Sequence, residues 1–387
     1  MDFALTESQE LIRKEVAGLA RGFSHEYWLE RDRTAKYPTE FVKAFADGGW
    51  LGLMVPEAYG GSGLGVTEAA IMMHEICASG AGTTGASPIH FYVFPPTPVI
   101  KFGTEAMKRR ELPKIVSGEA IMAFGVTEPN AGTDTSRIQT RAEKKGDRWI
   151  VNGRKVWTTN AQSANRILLL ARTADRDPAR PMKGMTLFFT DFDRTAMTVR
   201  EIEKLGRAAV DSNEVAIENL EVPDDHVVGT VGDGFYHLIE SLNPERIVIA
   251  IEAVGIGRAA LERAVQYAKE RVVFDRPIGK NQGIAHPLAH AQAELDCAEL
   301  LCMKAAWLFD SGRPCGREAN AAKLIAAEAG FNACDAALQT FGGFGYAKEF
   351  YVERLWREVR LYKIAPVSQQ MALNYLAEHV LGLPKSY

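Results

Sequence analysis

Cysteine is scarce in this sequence, and it contains no long apolar run and no long basic run. The 387 residues include five cysteines, an odd number without any C-x-x-C pair, so we expect reduced thiols rather than a disulfide framework. No apolar stretch approaches the roughly 20 residues of a membrane-spanning helix. A formal net charge of −4 without a basic run argues against a nucleic-acid partner. We therefore expect a soluble, cytoplasmic protein that binds neither nucleic acid nor membrane.

Three common catalytic signatures are missing as well. The eight histidines form no H-E-x-x-H pair, so no catalytic metal is predicted. No G-x-S-x-G motif for acyl transfer occurs. The stretch "GIGRAA" (255–260) matches half of a dinucleotide fingerprint, but it lies within a helical pattern and follows no strand. A redox cofactor, if one binds, must therefore bind without the common nucleotide folds.

Hydrophobic periodicity and residue composition divide the chain into three segments. Residues 1–120 have helical periodicity broken by Gly/Pro-rich loops, and the first helix begins with a capping-box pattern at Thr6 and Gln9. Residues 121–230 contain short β-branched and aromatic runs, among which "RWIVNGRKVWTT" (148–159) predicts a hairpin that turns at Asn152-Gly153. Helical periodicity returns in residues 231–387. We predict two helical domains separated by a β-domain.

Five motifs follow one another along the chain: "VPEAYGGSGLG" (55–65), "AFGVTEPNAGTD" (123–134), "KVWTTNA" (155–161), "ERVVFDRPIGKNQ" (270–282) and "QTFGGFGY" (339–346). In this order and spacing they resemble the acyl-CoA dehydrogenase family, and together they cover the chain nearly from end to end. The resemblance implies an α+β fold with an N-terminal helical domain, a central β-barrel or sandwich domain and a C-terminal four-helix bundle. It also implies FAD as the cofactor and an acyl-CoA as the substrate.

The resemblance implies which residues contact the flavin. Two of the features concerned also have an ordinary structural explanation. The stretch "TEPNAGTD" taken alone predicts a turn, and Trp157 taken alone predicts a core residue on a strand. In the family, the matching positions border the isoalloxazine ring, approach the pyrophosphate and the thioester arm, or lie near the flavin's polar rim. Those positions are Phe124, Val126 and Thr127, then Gly132 and Thr133, then Trp157 and Thr159, and finally Ser368 and Gln370.

A second set of family positions reaches the adenosine half of FAD in a neighbouring subunit. The resemblance therefore implies a homodimer or a homotetramer built as a dimer of dimers. Arg271 taken alone is a solvated charge at a helix end. The full set is Arg271, Phe274, Gln282, Gln339, Gly342 and Gly343.

The catalytic base of the family is not in its usual place. Many members use a glutamate in a Tyr-Glu-Gly-Thr stretch to take the α-proton, while the β-hydrogen leaves as hydride to flavin N5. An ungapped alignment from Gln339 puts Pro366 at that position, in "YKIAPVSQQ" (362–370). A minority of the family, including isovaleryl-CoA and long-chain enzymes, carry the base earlier in a Leu-x-x-Glu-Arg stretch. This chain has "LNPERIVIA" (242–250), so the resemblance assigns the base to Glu245.

Neighbouring residues complete the predicted substrate site, and alternatives remain open for them. Thr133, Asn243 and Arg246 are the predicted substrate contacts. Asn243 and Pro244 also form an ordinary helix start. Glu252 lies seven residues after Glu245 on the same helical face and is a second candidate base, or else a partner of Arg258 or Arg360.

The replacement at Pro366 bears on the reaction and the substrate. In relatives the backbone N–H at this position helps to polarise the thioester carbonyl, and proline has none. Ala365-Pro366 also removes side-chain volume, so we expect a branched, cyclic or longer acyl chain. The function predicted is an FAD-dependent acyl-CoA dehydrogenase with electron transfer flavoprotein as partner. The alternatives are a flavin-dependent monooxygenase or oxidase on the same fold, and a non-catalytic relative that binds a CoA ester or nucleic acid.

Overall fold

The N-terminal part of the computed structural model is helical. The structure describes residues 4–386, apart from the side chain of Ser241. The capping box predicted at Thr6 and Gln9 is confirmed, because each side chain accepts a hydrogen bond from the other residue's backbone N–H. Trp28, Phe41 and Phe45 are fully buried among these helices. The helices are α1 (Glu7–Arg21), α2 (His25–Thr34), α3 (Thr39–Asp47), α4 (Val66–Ile76), α5 (Gly82–His90), α6 (Thr97–Phe102) and α7 (Glu105–Val116).

The central part forms an eight-stranded sheet. The strands are β1 (Met122–Gly125), β2 (Arg141–Lys145), β3 (Arg148–Thr159), β4 (Arg166–Arg172), β5 (Met185–Asp191), β6 (Met197–Glu201), β7 (Ser212–Pro223) and β8 (Val227–Val228). Their order is β6-β7-β3-β2-β4-β5-β8, and β1 pairs with β4 in parallel. β4 and β5 are buried along almost their whole length, so this sheet is covered on both faces where they lie.

The predicted hairpin turn at Asn152-Gly153 is wrong. Both residues lie inside β3, a single strand of 12 residues. The turn lies earlier, between β2 and β3, where Gly146 has φ +65° and Lys145 pairs with Arg148. At Gly153 the register of β3 against β7 shifts, so Asn-Gly marks an irregularity within the strand.

The C-terminal part is built from long helices that pack closely. A Cβ on Gly330 would lie 2.3 Å from the Ala253 carbonyl oxygen, so only glycine permits this approach of two helices. The elements are α8 (Gly234–Glu270), β9 (Val272–Val273), β10 (Arg276–Pro277), α9 (Gln282–Asp310), α10 (Gly316–Phe341), α11 (Val352–Val359) and α12 (Gln369–Tyr375). The predicted fold, two helical domains around a central β-domain, is confirmed.

Helix α8 connects the sheet to the helical part and carries the candidate base. The alternative interpretation of a helix that begins at Asn243 and Pro244 is wrong, because Pro244 lies inside a continuous helix of 37 residues. A proline there removes one hydrogen bond of the helix, so packing against the neighbouring helices must hold this segment together. Within residues 4–386, no helix combines the length and the apolar character needed to cross a bilayer.

Candidate active site

Glu245 is a buried carboxylate without a partner. Its side chain lies on α8, and the residue is only 7% exposed. Among the residues whose side chains the structure describes, none donates a hydrogen bond to it or forms an ion pair with it. Burial raises the pKa of Glu245 to about 7, because the charged form loses its hydration. A carboxylate in this state is basic enough to accept a proton from carbon at neutral pH.

Asn243 and Arg246 lie together next to Glu245. Nη1 of Arg246 donates to Oδ1 of Asn243 over 2.9 Å. Burial lowers the pKa of Arg246, whereas the charge of Glu245 raises it. Nε of Arg246 is buried without a hydrogen-bond partner in the described part of the chain. Two of the three predicted substrate contacts, Asn243 and Arg246, are therefore hydrogen-bonded to each other, and the charge of Arg246 acts on the candidate base.

Glu252 has a different environment, although it lies on the same helix. The residue is 1% exposed. Its Oε1 lies 2.8 Å from Nδ1 of His90, and its Oε2 accepts a hydrogen bond of 2.7 Å from the Tyr362 hydroxyl. The suggested pairing with Arg258 or Arg360 is wrong, because His90 and Tyr362 are the partners of the two Glu252 oxygens and Arg258 instead pairs with Asp296 and Glu299. With both oxygens occupied, Glu252 is poorly placed to serve as the base.

Trp157 presents its ring to the surface from a distorted strand. It has φ +60°, a left-handed conformation that is rare for a bulky residue, and it is 57% exposed. The register of β3 against β7 shifts between Lys155 and Thr158, which turns the side chain out of its regular alternation. The alternative of Trp157 as a core residue is therefore wrong. An exposed indole face suits stacking on a planar ring.

A buried ion pair fixes the loop after β1 to β3. Nζ of Lys155 lies 2.8 Å from Oε1 of Glu128 and donates to the carbonyl oxygen of Val126 over 3.1 Å. The backbone N–H of Val156 donates to the Thr127 carbonyl oxygen over 2.9 Å. Although burial opposes it, the Lys155 ammonium lowers the pKa of Glu128. These contacts hold the predicted flavin residues of this loop against the strand that carries Trp157.

Arg207 is a site residue that sequence reasoning missed. It has φ +59° in the loop between β6 and β7. Its guanidinium donates to the hydroxyls of Ser87, Ser212 and Thr159 over 3.1, 2.9 and 3.4 Å. The loop sequence around it carries no motif that would have identified it. Thr159, predicted to reach the flavin's polar rim, is thus oriented by an arginine.

The other residues predicted to contact the FAD bound to the same chain are exposed or half-buried. Phe124 is half-buried in β1, and its ring contacts Phe94 edge-on, with 5.1 Å between ring centroids. Gly132 and Thr133 are exposed in the loop after β1, and a Cβ on Gly132 would meet no atom within 4 Å. Ser368 caps α12 through a hydrogen bond from the Met371 N–H, and Gln370 is exposed. Exposed small residues with free backbone fit an extended pyrophosphate.

The residues predicted to serve a neighbouring subunit are all exposed. Phe274 has φ +51° at the turn between β9 and β10 and is 94% exposed. The Arg271 guanidinium lies 5.7 Å from the ring centroid of Phe344. Gln282 is exposed at the start of α9, and Gln339, Gly342 and Gly343 are exposed at the end of α10. Because a wholly exposed phenylalanine contributes nothing to the fold of one chain, this surface suits an intermolecular contact. The part of the chain described, residues 4–386, holds no group of ligands suited to a metal ion.

Comparisons with known proteins agree along the whole chain. Residues 6–119, 123–220 and 232–381 match the family descriptions of the N-terminal, middle and C-terminal domains of acyl-CoA dehydrogenase. Acyl-CoA dehydrogenase fadE12 of Mycobacterium bovis is 38% identical, over 100% of this chain and 99% of the relative.

Two solved structures have the same fold. The glutaryl-coenzyme A dehydrogenase in complex with glutaryl-CoA superposes with a TM-score of 0.94 and 31% identity, over 100% of this chain and 98% of the other. A chain in the structure described as electron transferring flavoprotein of Acidaminococcus fermentans gives a TM-score of 0.92 and 32% identity, over 98% and 100%.

Proposed function

The chain belongs to the acyl-CoA dehydrogenase family, whose members use FAD and oxidise CH–CH bonds, and we propose that it desaturates an acyl-CoA thioester with Glu245 as the base. The observation that carries this proposal is the isolation of Glu245, which is buried, unpaired and raised in pKa. A base must be dry enough to hold a proton and free enough to receive one. Glu245 meets both conditions, and Glu252 meets only the first.

Proton removal requires the substrate to be held with its α-carbon at Glu245. We assign this positioning to Asn243 and Arg246, which lie beside Glu245 on α8, and to Thr133 in the loop after β1. FAD, when bound, supplies the acceptor for the hydrogen lost from the β-carbon. Trp157 and Thr159 would orient its ring, and Lys155 with Glu128 would keep the loop of Val126 and Thr127 in place. The exposed ring of Trp157 and the open backbone at Gly132 fit that cofactor.

The substrate class follows from the side chains near the usual base position. Ala365 is half-buried and Pro366 is exposed, where many relatives carry Tyr-Glu. Because both side chains are smaller, we propose a branched, cyclic or longer acyl chain rather than a short linear one. Because Pro366 has no N–H, we propose that the backbone N–H of Val367 donates to the thioester carbonyl instead.

Partners and assembly complete the proposal. The exposed surface around Phe274 supports a homodimer or a dimer of dimers in which each chain contacts its neighbour's cofactor. We propose domains at residues 1–120, 121–230 and 231–387, and electron transfer flavoprotein as the electron acceptor. The five free cysteines support a reducing compartment such as the cytoplasm.

Anaerobic flavin reduction across linear, branched and cyclic CoA thioesters tests this function. We expect the flavin absorbance to bleach with a branched, cyclic or long thioester faster than with butyryl-CoA. Fastest bleaching with butyryl-CoA would reject the substrate class. No bleaching with any thioester, together with rapid reaction of the reduced enzyme with oxygen, would favour the oxidase or monooxygenase alternative.

A further inference from the structure

Three hydrogen-bonded side chains lie near the candidate base and do not themselves remove the substrate proton. His90, at the end of α5, lies 2.8 Å through Nδ1 from Oε1 of Glu252, whose other oxygen accepts from Tyr362. The exposed fractions of His90, Glu252 and Tyr362 are 5%, 1% and 1%. A carboxylate only accepts hydrogen bonds, so in an ion pair with Glu252 the proton on Nδ1 of His90 points to Oε1.

The charges that face His90 come from two elements. Glu252 and Glu245 on α8 favour the imidazolium, and Arg207, in the loop between β6 and β7, opposes it. Tyr362 interacts with Glu252 rather than with His90. Burial alone would lower the pKa of His90, but the charge of Glu252 and the hydrogen bond to it outweigh burial and raise that pKa above its ordinary value. The pair has no net charge, but its His90 end places a positive charge within the protein interior.

Glu245 lies in the field of this pair. Burial raises the pKa of Glu245, the charges of His90 and then of Arg246 lower it, and the charge of Glu252 raises it to a smaller extent. A carboxyl group in a dry site with no cation nearby stays protonated, and a protonated carboxyl cannot take a proton from carbon. The base therefore needs compensating positive charge, and two cations supply it: His90, whose effect is the larger, and Arg246 on α8.

We propose that His90, held as an imidazolium by its buried hydrogen bond to Glu252, is a positioning residue whose charge adds to that of Arg246 in favouring the ionised form of Glu245. The inference rests on the proposed role of Glu245 as the base. His90 itself does not exchange a proton with the substrate. Its charge increases the fraction of Glu245 that is deprotonated, and so able to act as the base, at a given pH.

Holoenzymes with single substitutions test this proposal. His90→Asn keeps an N–H near the place of Nδ1 and removes the charge, and His90→Gln is made in parallel. The matched control is His226→Asn, since Nδ1 of His226 is also hydrogen-bonded, to Oγ1 of Thr190 over 2.9 Å, in the central sheet. The first measurement is the pH profile of anaerobic flavin reduction by the most active thioester. The second is an infrared titration of the Glu245 carboxyl band, with Glu245→Gln as the subtraction reference.

We expect His90→Asn to move the midpoint of both titrations upward by about one unit or more. The rate near pH 6 should fall by about tenfold, while the KM for the thioester and the His226→Asn control remain unchanged. An unchanged midpoint in either folded, FAD-loaded His90 variant overturns the proposal.

The infrared titration separates this inference from the proposed function. It needs no turnover, so it reports the control of Glu245 by His90 even if Glu245→Gln proves fully active. Full activity of Glu245→Gln would overturn the role of Glu245 as base. An unshifted carboxyl band in a His90 variant would overturn the role of His90 alone.

Discussion

Glu245 and Glu252 lie two turns apart on one helix, yet only Glu252 has hydrogen-bond partners. Both are buried, at 7% and 1% exposed. Glu252 holds His90 and Tyr362, whereas the carboxylate of Glu245 has no donor among the described side chains. Environment rather than residue type therefore separates the two roles: one carboxylate is structural, and the other is free to react.

The rate of flavin reduction should rise with pH around neutrality. The base must be deprotonated to act, and the pKa of Glu245 is raised to about 7 by burial. We expect the rate to be lost as pH falls through that value and to be constant well above it. Stopped-flow reduction from about pH 5.5 to about pH 9 measures this profile. A rate that is already constant at about pH 5.5 would contradict a raised pKa.

The unpaired carboxylate should also destabilise the fold at high pH. The pKa of Glu245 is higher in the folded state than the ordinary 4.5, so the folded state binds more protons between these values. The stability contributed by its protonated form is therefore lost as pH rises from about 4.5 to about 7. Glu245→Gln should increase the free energy of unfolding by about 3 kcal/mol at pH 8 and by much less below pH 5. Urea unfolding of wild type and Glu245→Gln at about pH 8 and about pH 4.5 measures this difference in the free energy of unfolding. The same difference at both pH values would contradict the prediction.

Breaking the buried pair of Lys155 and Glu128 should be costly. Lys155→Met leaves a carboxylate, 6% exposed, without its cation, so we expect a loss of about 3–5 kcal/mol in the free energy of unfolding. Lys144→Met is the matched control, because Lys144 pairs with Asp224 at 48% and 45% side-chain exposure, and should cost less than about 1 kcal/mol. Urea unfolding that gave equal losses would show that the loop is not held by this pair.

Phe274 should act between chains rather than within one. Its ring is 94% exposed, so Phe274→Ala should leave the melting temperature of a dissociated protomer unchanged. Burial of such a ring contributes roughly 2 kcal/mol, so the dimer and FAD affinity should weaken by roughly 30-fold. Sedimentation velocity and FAD titration measure both quantities. Leu11→Ala, a substitution of a side chain 58% exposed on α1, is the control, and equal affinity in both variants would argue against this interface.

The sequence predicted the architecture well because periodicity reports local burial. The runs around Leu168, Phe188 and Val215 become the strands β4, β5 and β7. Local signals failed where tertiary contacts outweigh them. Asn152-Gly153 favours a turn on its own, and the pairing of β3 with β7 holds it within a strand. Asn243-Pro244 favours a helix start, and packing carries α8 through it.

Residues of the candidate site were predicted only where they lie within one contiguous sequence motif. Glu245 and Arg246 are neighbours in sequence and were found by resemblance. The partners of Glu252 were not, because His90 and Tyr362 lie 162 and 110 residues away in the chain. Arg207 was missed for the same reason: its acceptors Ser87 and Thr159 lie 120 and 48 residues away. Contacts over such distances leave no pattern in one sequence.

The substitution Glu245→Gln tests the account most directly. Glu240→Gln is its matched control, since Glu240 lies on the same helix, 51% exposed in its pair with Lys101. Both holoenzymes are mixed anaerobically with the most active acyl-CoA, and flavin absorbance and thioester affinity are followed. We expect Glu245→Gln to bind FAD and thioester normally and to reduce the flavin about 10²–10⁴-fold more slowly than wild type, with Glu240→Gln unchanged. Flavin reduction by Glu245→Gln at the wild-type rate would contradict the assignment of the base.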